Sequence, residues 1–186
     1  MRTVTRAPVK VRSILVLWHS LEVWIAIVAF STIALFLIYD VLLREALMPF
    51  LELFNVDGRG LVLYGSQKIA VYLLVVGAFT GIGIATWTGA QLVPKVGHHL
   101  VPERWDINAN RIADGVTFLF LVAVTVVAAI YVYDTYLSGQ RGSSGVSILI
   151  WKVQIALPLG FGSAAVRYLC FFFWPDLRPE AGETLE

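Results

Sequence analysis

The feature that most constrains this chain is a set of four apolar stretches, each about as long as a membrane-spanning helix. They cover residues 23–43, 67–91, 113–135 and 147–173. A helix needs roughly 20 residues to cross the hydrocarbon core of a bilayer, and a single segment in lipid satisfies its backbone hydrogen bonds only as a helix. The pattern predicts an all-α integral membrane protein with four transmembrane helices, forming one membrane domain over residues 1–186.

The composition agrees with a membrane protein and excludes some other classes. Hydrophobic residues make up 58% of the chain and charged residues 15%, whereas soluble domains have about 45–50% and 25%. The net charge of +1 gives no basic surface for nucleic acid, so no nucleic-acid partner is expected. With Cys170 as the single cysteine, an intrachain disulfide and a thiolate metal cluster are both excluded.

The residues before the first span form a basic and partly amphipathic lead-in. In "VKVRSILVLWHSLEVW", Val11, Leu15 and Trp18 fall near one helical face. Two structures fit this pattern, an interfacial N-terminal segment or an extension of the first span. The apolar run that follows the basic residues is too long for a cleaved signal peptide, so we expect the N-terminus to be retained.

The lysines and arginines predict the orientation of the spans. If the N-terminus is cytoplasmic, nine of these residues fall in cytoplasmic segments and five fall outside. The positive-inside rule therefore favours both termini in the cytoplasm. The predicted cytoplasmic tails are residues 1–12 and 175–186.

Two spans carry small residues at intervals of four, which places them on one helical face. The second span has Gly77, Gly81, Ala85 and Gly89, and the fourth has Ala156, Gly160 and Ala164. In lipid such faces allow close approach of another helix. Two explanations stay open: the helices pack on each other within the chain, or one of the small-residue faces receives a partner chain.

The fourth span, "SILIWKVQIALPLGFGSAAVRYLCFFFW", contains residues that lipid disfavours, namely Lys152, Gln154, Pro158 and Arg167. The ten Val, Ile, Leu and Phe residues that follow Lys152 contribute roughly −3 to −6 kcal/mol to insertion, which offsets about +2.5 to +3.5 kcal/mol for one arginine. Arg167 is expected to extend towards the cytoplasmic headgroups or to face protein. Because Pro158 frees the carbonyl of Gln154, we expect a tilt or bend there and a helix that lies against protein.

Two further sets of charged residues have ordinary explanations. Asp40 and Arg44 are four apart at the end of the first span, and we expect a solvated ion pair. Glu22 lies beside Trp18 and His19 at the inner border, where a proton-relay role is the less favoured interpretation.

The three histidines, His19, His98 and His99, do not have the spacing of a haem or metal site. A haem-bearing redox subunit would rest on these three residues alone. We therefore expect no cofactor, no metal and no catalytic residues.

Several motifs, in the same order along residues 22–173, resemble the small membrane subunit of tripartite ATP-independent periplasmic (TRAP) transporters. The first is "YDVLLREALMPF", with Arg44 after an aliphatic run. The second is "GAFTGIGIATWTGAQLVPKV" followed by "HHLVPERW", with Pro102 and Arg104. The third and most specific is "WKVQIALPLGFGSAAVRYL", with Trp151, Pro158, Gly160, Phe161 and Arg167. The chain departs from that family at Gln67 and Lys68 and in a longer loop over residues 48–60.

The resemblance implies a non-catalytic small subunit in a bacterial inner membrane. Its partners would be a large permease subunit, which carries substrate and sodium in organic-acid uptake, a periplasmic substrate-binding protein, and membrane lipid. The resemblance and the small-residue faces together predict a partner interface at Arg44, Gly77, Gly81, Ala85, Gly89, Trp151, Pro158, Gly160 and Arg167. The alternative is an accessory structural subunit of a respiratory or photosynthetic membrane complex.

Overall fold

A computed structural model describes residues 7–54, 65–90, 106–142 and 147–178, except for the side chains of Glu52 and of residues 106–110. Apart from one isolated β-bridge between Arg141 and Leu149, the regular structure within these ranges is helical. The helices are α1 (Val9–Leu42), which continues through a π-helical turn (Leu43–Leu47) into α2 (Met48–Leu53), then α3 (Ser66–Thr88), α4 (Asp106–Ser138), α5 (Ile150–Gln154), α6 (Ala156–Phe173), and a 3₁₀ turn (Pro175–Leu177).

Four helical stretches are long and apolar enough to cross a membrane. They are Val9–Leu51, Ser66–Thr88, Arg111–Ser138 and Ile150–Phe173. The predicted all-α architecture with four transmembrane helices is therefore confirmed.

The lead-in and the first span form one continuous helix. With 34 residues, α1 is about 51 Å long at 1.5 Å per residue, whereas the hydrocarbon core is about 30 Å thick. The first turns of α1 are thus an extension of the span, and the length of α1 requires a tilt or ends that reach the membrane interface.

The four spans form a row in the order α1, α3, α6, α4. The extensive contacts between described helices join α1 to α3, α3 to α6, and α6 to α4. In the most apolar window of the last span 44% of residues are buried within the chain, against 17% for those of α1 and α4. The last span therefore lies inside the row, and α1 and α4 form its outer edges.

Glycines set the closest approaches along the row. A Cβ at Gly77 of α3 would lie 3.0 Å from the Phe30 ring of α1. A Cβ at Gly160 of α6 would overlap the backbone carbonyl of Phe79 in α3, with the carbonyl carbon 2.9 Å away. Both glycines let neighbouring helices approach without a side chain between them, as expected for spans that associate in lipid.

The last span is interrupted three residues before its proline. Helix α5 ends at Gln154 and α6 begins at Ala156, with Ile155 between them. The Gln154 side-chain amide donates a hydrogen bond to the Tyr131 hydroxyl of α4, with an N–O distance of 3.2 Å. The missing N–H of Pro158 explains a break at this position.

The turn after α6 connects both edges of the row at one end. Leu177 packs with Leu15 of α1 and Phe171 of α6. The backbone N–H of Ala7 donates to Asp176 Oδ2 at 3.1 Å. Arg178 forms an ion pair with Asp114 of α4, with 3.4 Å between Nη2 and Oδ1. These contacts hold the beginnings of α1 and α4 to the end of the last span.

Gly160→Ala should lower the free energy of unfolding by about 1–3 kcal/mol, because the new methyl group meets rigid backbone of α3. The matched control is Gly81→Ala, where the added Cβ has no atom within 4 Å and helix propensity favours alanine by about 0.8–1 kcal/mol. Equilibrium unfolding in detergent measures both variants. Equal stability of the two would contradict the close approach at Gly160.

Candidate functional site

A buried ion pair joins the first span to the last. Arg167 of α6 is 1% exposed and Glu22 of α1 is 6% exposed. Arg167 Nη2 donates to Glu22 Oε2 at 2.5 Å, across 145 positions of sequence. Both charges therefore leave water, and each neutralises the other inside the chain.

Two more side chains hold the Glu22 carboxylate in place. Trp18 Nε1 lies 2.9 Å from both Glu22 Oε1 and Ser163 Oγ, and Ser163 Oγ hydrogen-bonds to the same carboxylate oxygen. Trp18 precedes Glu22 by four residues, and Ser163 precedes Arg167 by four. Because residues four apart share a helical face, each helix presents one charged and one hydrogen-bonding residue to the pair.

Aromatic rings form another side of the site. The guanidinium carbon of Arg167 lies 5.9 Å from the centroid of the Trp87 ring, within the range of a cation–π interaction. The His19 ring lies 5.8 Å from Trp87, measured between centroids. The Trp87 side chain comes from α3, so all three helices around the pair contribute to it.

Gly83 makes room for the pair on α3. A Cβ at this position would lie 2.6 Å from Arg167 Nη1 and would also overlap the Glu22 carboxylate. Helix α3 lies between α1 and α6 in the row, so a side chain at Gly83 would separate the two charges. Glycine at this position is therefore required for the ion pair.

The energetic importance of the pair follows from its surroundings. A single charge in a membrane span costs about 2.5–3.5 kcal/mol on insertion scales. Removing one partner of a buried pair leaves the other charge uncompensated and costs about 3–5 kcal/mol. The pair therefore stabilises the arrangement of α1, α3 and α6 in which the two charges meet. This structural role is the one that the geometry of the pair supports.

The predicted interface residues fall into two groups. Gly77, Gly160 and Arg167 lie in contacts between helices of this chain. Of the two expectations for Arg167, extension towards the headgroups is wrong and a position against protein is confirmed, because Glu22 and α3 enclose its side chain. A role of these three residues at a partner interface stays a prediction.

The other interface residues lie nearer to the surface. Gly81 has open space where a Cβ would be, Ala85 is half-buried, and Gly89 ends α3 with a φ of 68°. Trp151 packs edge-on against Tyr136, with centroids 5.4 Å apart. Pro158 lines a groove beside α1.

Arg44 forms the predicted pair with Asp40, at 3.1 Å between Nε and Oδ1. The pair is less solvated than expected. The Arg44 side chain is 53% exposed, but that of Asp40 is only 10% exposed. The π-helical turn begins one residue before Arg44, so the pair lies where α1 gives way to α2.

Sequence reasoning missed Trp18, Glu22, Gly83 and Ser163 as members of one site. The available signal was a glutamate and an arginine of opposite charge, each beside or within an apolar span. Within the described residues, no group of three or more His, Cys, Asp and Glu is placed to hold a metal. His98 and His99 lie outside the described residues.

The row of spans and its internal ion pair define a multi-pass, all-helical membrane protein. The family model for the DctQ component of tripartite ATP-independent periplasmic transporters matches residues 33–175, well over half of the 186-residue chain. The chain belongs to this family, the small component of TRAP transporters in the inner membrane, which confirms the predicted family and location. A search of curated proteins found no significant match.

The family match includes only part of the ion-pair site. Gly83, Ser163 and Arg167 lie within residues 33–175, whereas Trp18 and Glu22 precede them. The family assignment and the ion pair are therefore separate findings, since the assignment does not rest on the Glu22 side of the pair.

Replacing either charge with an apolar residue, as in Glu22→Leu or Arg167→Met, should lower the free energy of unfolding by about 3–5 kcal/mol. The double variant should lose less than the sum of the single losses, because it leaves neither charge unpaired. Equilibrium unfolding in detergent gives all three values.

The control for this cycle is Arg12→Leu, which removes an exposed charge near the beginning of α1 and should lose less than about 1 kcal/mol. Additive losses in the double variant would show that Glu22 and Arg167 do not interact.

Proposed function

We propose that this chain is the non-catalytic small subunit of a TRAP transporter and scaffolds the large permease subunit for sodium-coupled uptake of an organic acid. Family membership supports this role, since the family is a transporter component. In the proposed orientation both termini are cytoplasmic, in accordance with the distribution of lysine and arginine.

The observation that carries the proposal is the contrast between a neutralised interior and apolar outer faces. Glu22 and Arg167 pair inside the row. The outer helices expose large apolar side chains, among them Trp24 and Leu35 of α1 and Leu119 and Val127 of α4, each at least 64% exposed. Such faces suit contact with lipid or with another membrane subunit.

The face of α3 that the row leaves open is the best candidate for the permease contact. Val71 and Leu74 are at least 50% exposed, and Ala78 follows them on the same face, one helical turn after Leu74. Gly81 continues this face with open space at its Cβ. A partner helix could therefore approach closely at Gly81 and Ala85, which is the second explanation that the small-residue pattern left open.

Helix α2 would lie on the periplasmic side in this orientation. It extends beyond the π-helical turn, and Phe50, Leu53 and Phe54 there are at least 59% exposed. In this arrangement α2 lies near the membrane surface at which the substrate-binding protein docks. Arg44 lies in the π-helical turn that precedes α2.

Gly81→Leu should abolish co-purification of the permease while leaving the isolated chain folded. A Cβ at Gly81 has no atom of this chain within 4 Å, so we expect the added bulk to act on the partner. The matched variant is Gly83→Leu, which should instead destabilise the isolated chain, because the side chain overlaps the ion pair. Full assembly of the Gly81→Leu variant would exclude the α3 face as the contact.

A pull-down in mild detergent from the native membrane, followed by mass spectrometry, tests the proposed role itself. We expect a large multi-span permease to accompany the chain. Respiratory or photosynthetic subunits in its place would contradict the proposal and support the accessory-subunit alternative.

A further inference from the structure

We infer that the groove between α1 and α6 binds one acyl chain of a phospholipid from the leaflet in which α1 begins. Ile14 and Trp18 form one wall of the groove, and Pro158, Leu159 and Val166 form the other. This α1–α6 groove is separate from the α3 face proposed for the permease.

The row of helices explains why the groove exists. Helices α1 and α6 both pack on α3, and the ion pair joins them at the floor of the groove. Ser163 and Arg167 line that floor, where Ser163 Oγ and Arg167 Nη2 are hydrogen-bonded to Glu22. The walls that remain open to the bilayer are apolar.

The apolar walls of the groove and its access from the bilayer suit an acyl chain. The volume of the groove is about 340 Å³. Leu159 and Val166 are 58% and 54% exposed, which gives a flexible chain lateral access from lipid.

Charge near one end of the groove selects the headgroup. Lys10 is exposed and lies four residues, about one helical turn, before Ile14. A cation there, near the membrane surface, attracts the phosphate of a phospholipid whose acyl chain extends towards Pro158. The effect of one such lysine on retention of an anionic lipid is about fivefold.

The direct test uses the full chain in nanodiscs that contain phosphatidylglycerol with a diazirine on its acyl chain. After illumination, mass spectrometry should locate the label on peptides that contain residues 14–18 and 158–166. Filling the groove with Leu159→Trp and Val166→Trp together should reduce this labelling by about tenfold.

Matched controls separate groove binding from general contact with lipid. Leu119→Trp with Val127→Trp makes the same two changes at exposed residues of α4, both 66% exposed, and should leave the labelling of the groove unchanged. Labelling that is spread evenly over the apolar surface would overturn the inference. Equal labelling of the groove in the original protein and in the variant with Leu159→Trp and Val166→Trp would also overturn it.

A second variant keeps the test valid if the filled protein does not fold. Lys10→Gln should reduce labelling by phosphatidylglycerol about fivefold, whereas Lys152→Gln, near the beginning of the last span, should not. Equal labelling in the Lys10 and Lys152 variants would overturn the inference, because the headgroup would then not lie at the Lys10 end of the groove.

The assembled transporter distinguishes lipid from a partner side chain. In the Val166→Cys variant no crosslink with the permease should form, and lipid labelling of the groove should persist in the complex. Loss of lipid labelling together with a crosslink to a permease helix would overturn the inference and make the groove a subunit contact.

Discussion

The Glu22–Arg167 ion pair is the interaction on which the rest of the architecture depends. It places a full charge from the first span and one from the last inside a membrane domain, where either charge without the other is energetically costly. The two helices both pack on α3, and the charges meet across its glycine, Gly83. Satisfying this one pair therefore fixes the positions of three helices.

The same pair explains how a chain with charged residues in its spans can present apolar faces to its surroundings. The charges, the Trp18 indole and the Ser163 hydroxyl are directed towards one another. The surface that remains comprises the outer faces of α1 and α4, the open face of α3 and the α1–α6 groove. A scaffold subunit needs such surfaces, and the proposed contacts with permease and lipid divide them without overlap.

The sequence was sufficient for the four spans, the all-α class and the family, because span length, hydropathy and the "ALPLGF" motif, with an arginine six residues after it, are local signals. It was insufficient for the ion pair. Glu22 and Arg167 are separated by 145 positions, and a sequence pattern does not give the lateral order of helices in a membrane. The sequence therefore leaves Arg167 either at the headgroups or against protein, and does not show that its counter-charge, Glu22, lies in the same chain.

The small-residue pattern of α3 was predictive only in part, for a geometric reason. A repeat of four identifies one face, but α3 lies between two helices and needs small residues on two faces. Gly77 meets α1 through Phe30, and Gly83, which is outside the repeat, accommodates the ion pair. Gly81 belongs to the repeat, yet a Cβ there would contact no atom of this chain. Which of these glycines contacts a neighbouring helix depends on where that helix lies, and the spacing of the residues does not give it.

The most direct test of the central claim is a cryo-electron microscopy structure of the chain in the complex purified from its native membrane. The account predicts that the Arg167 guanidinium lies within hydrogen-bond distance, about 2.7–2.9 Å, of the Glu22 carboxylate, with Gly83 against both. An Arg167 side chain paired with a carboxylate of another subunit, and Glu22 turned away from it, would contradict the claim.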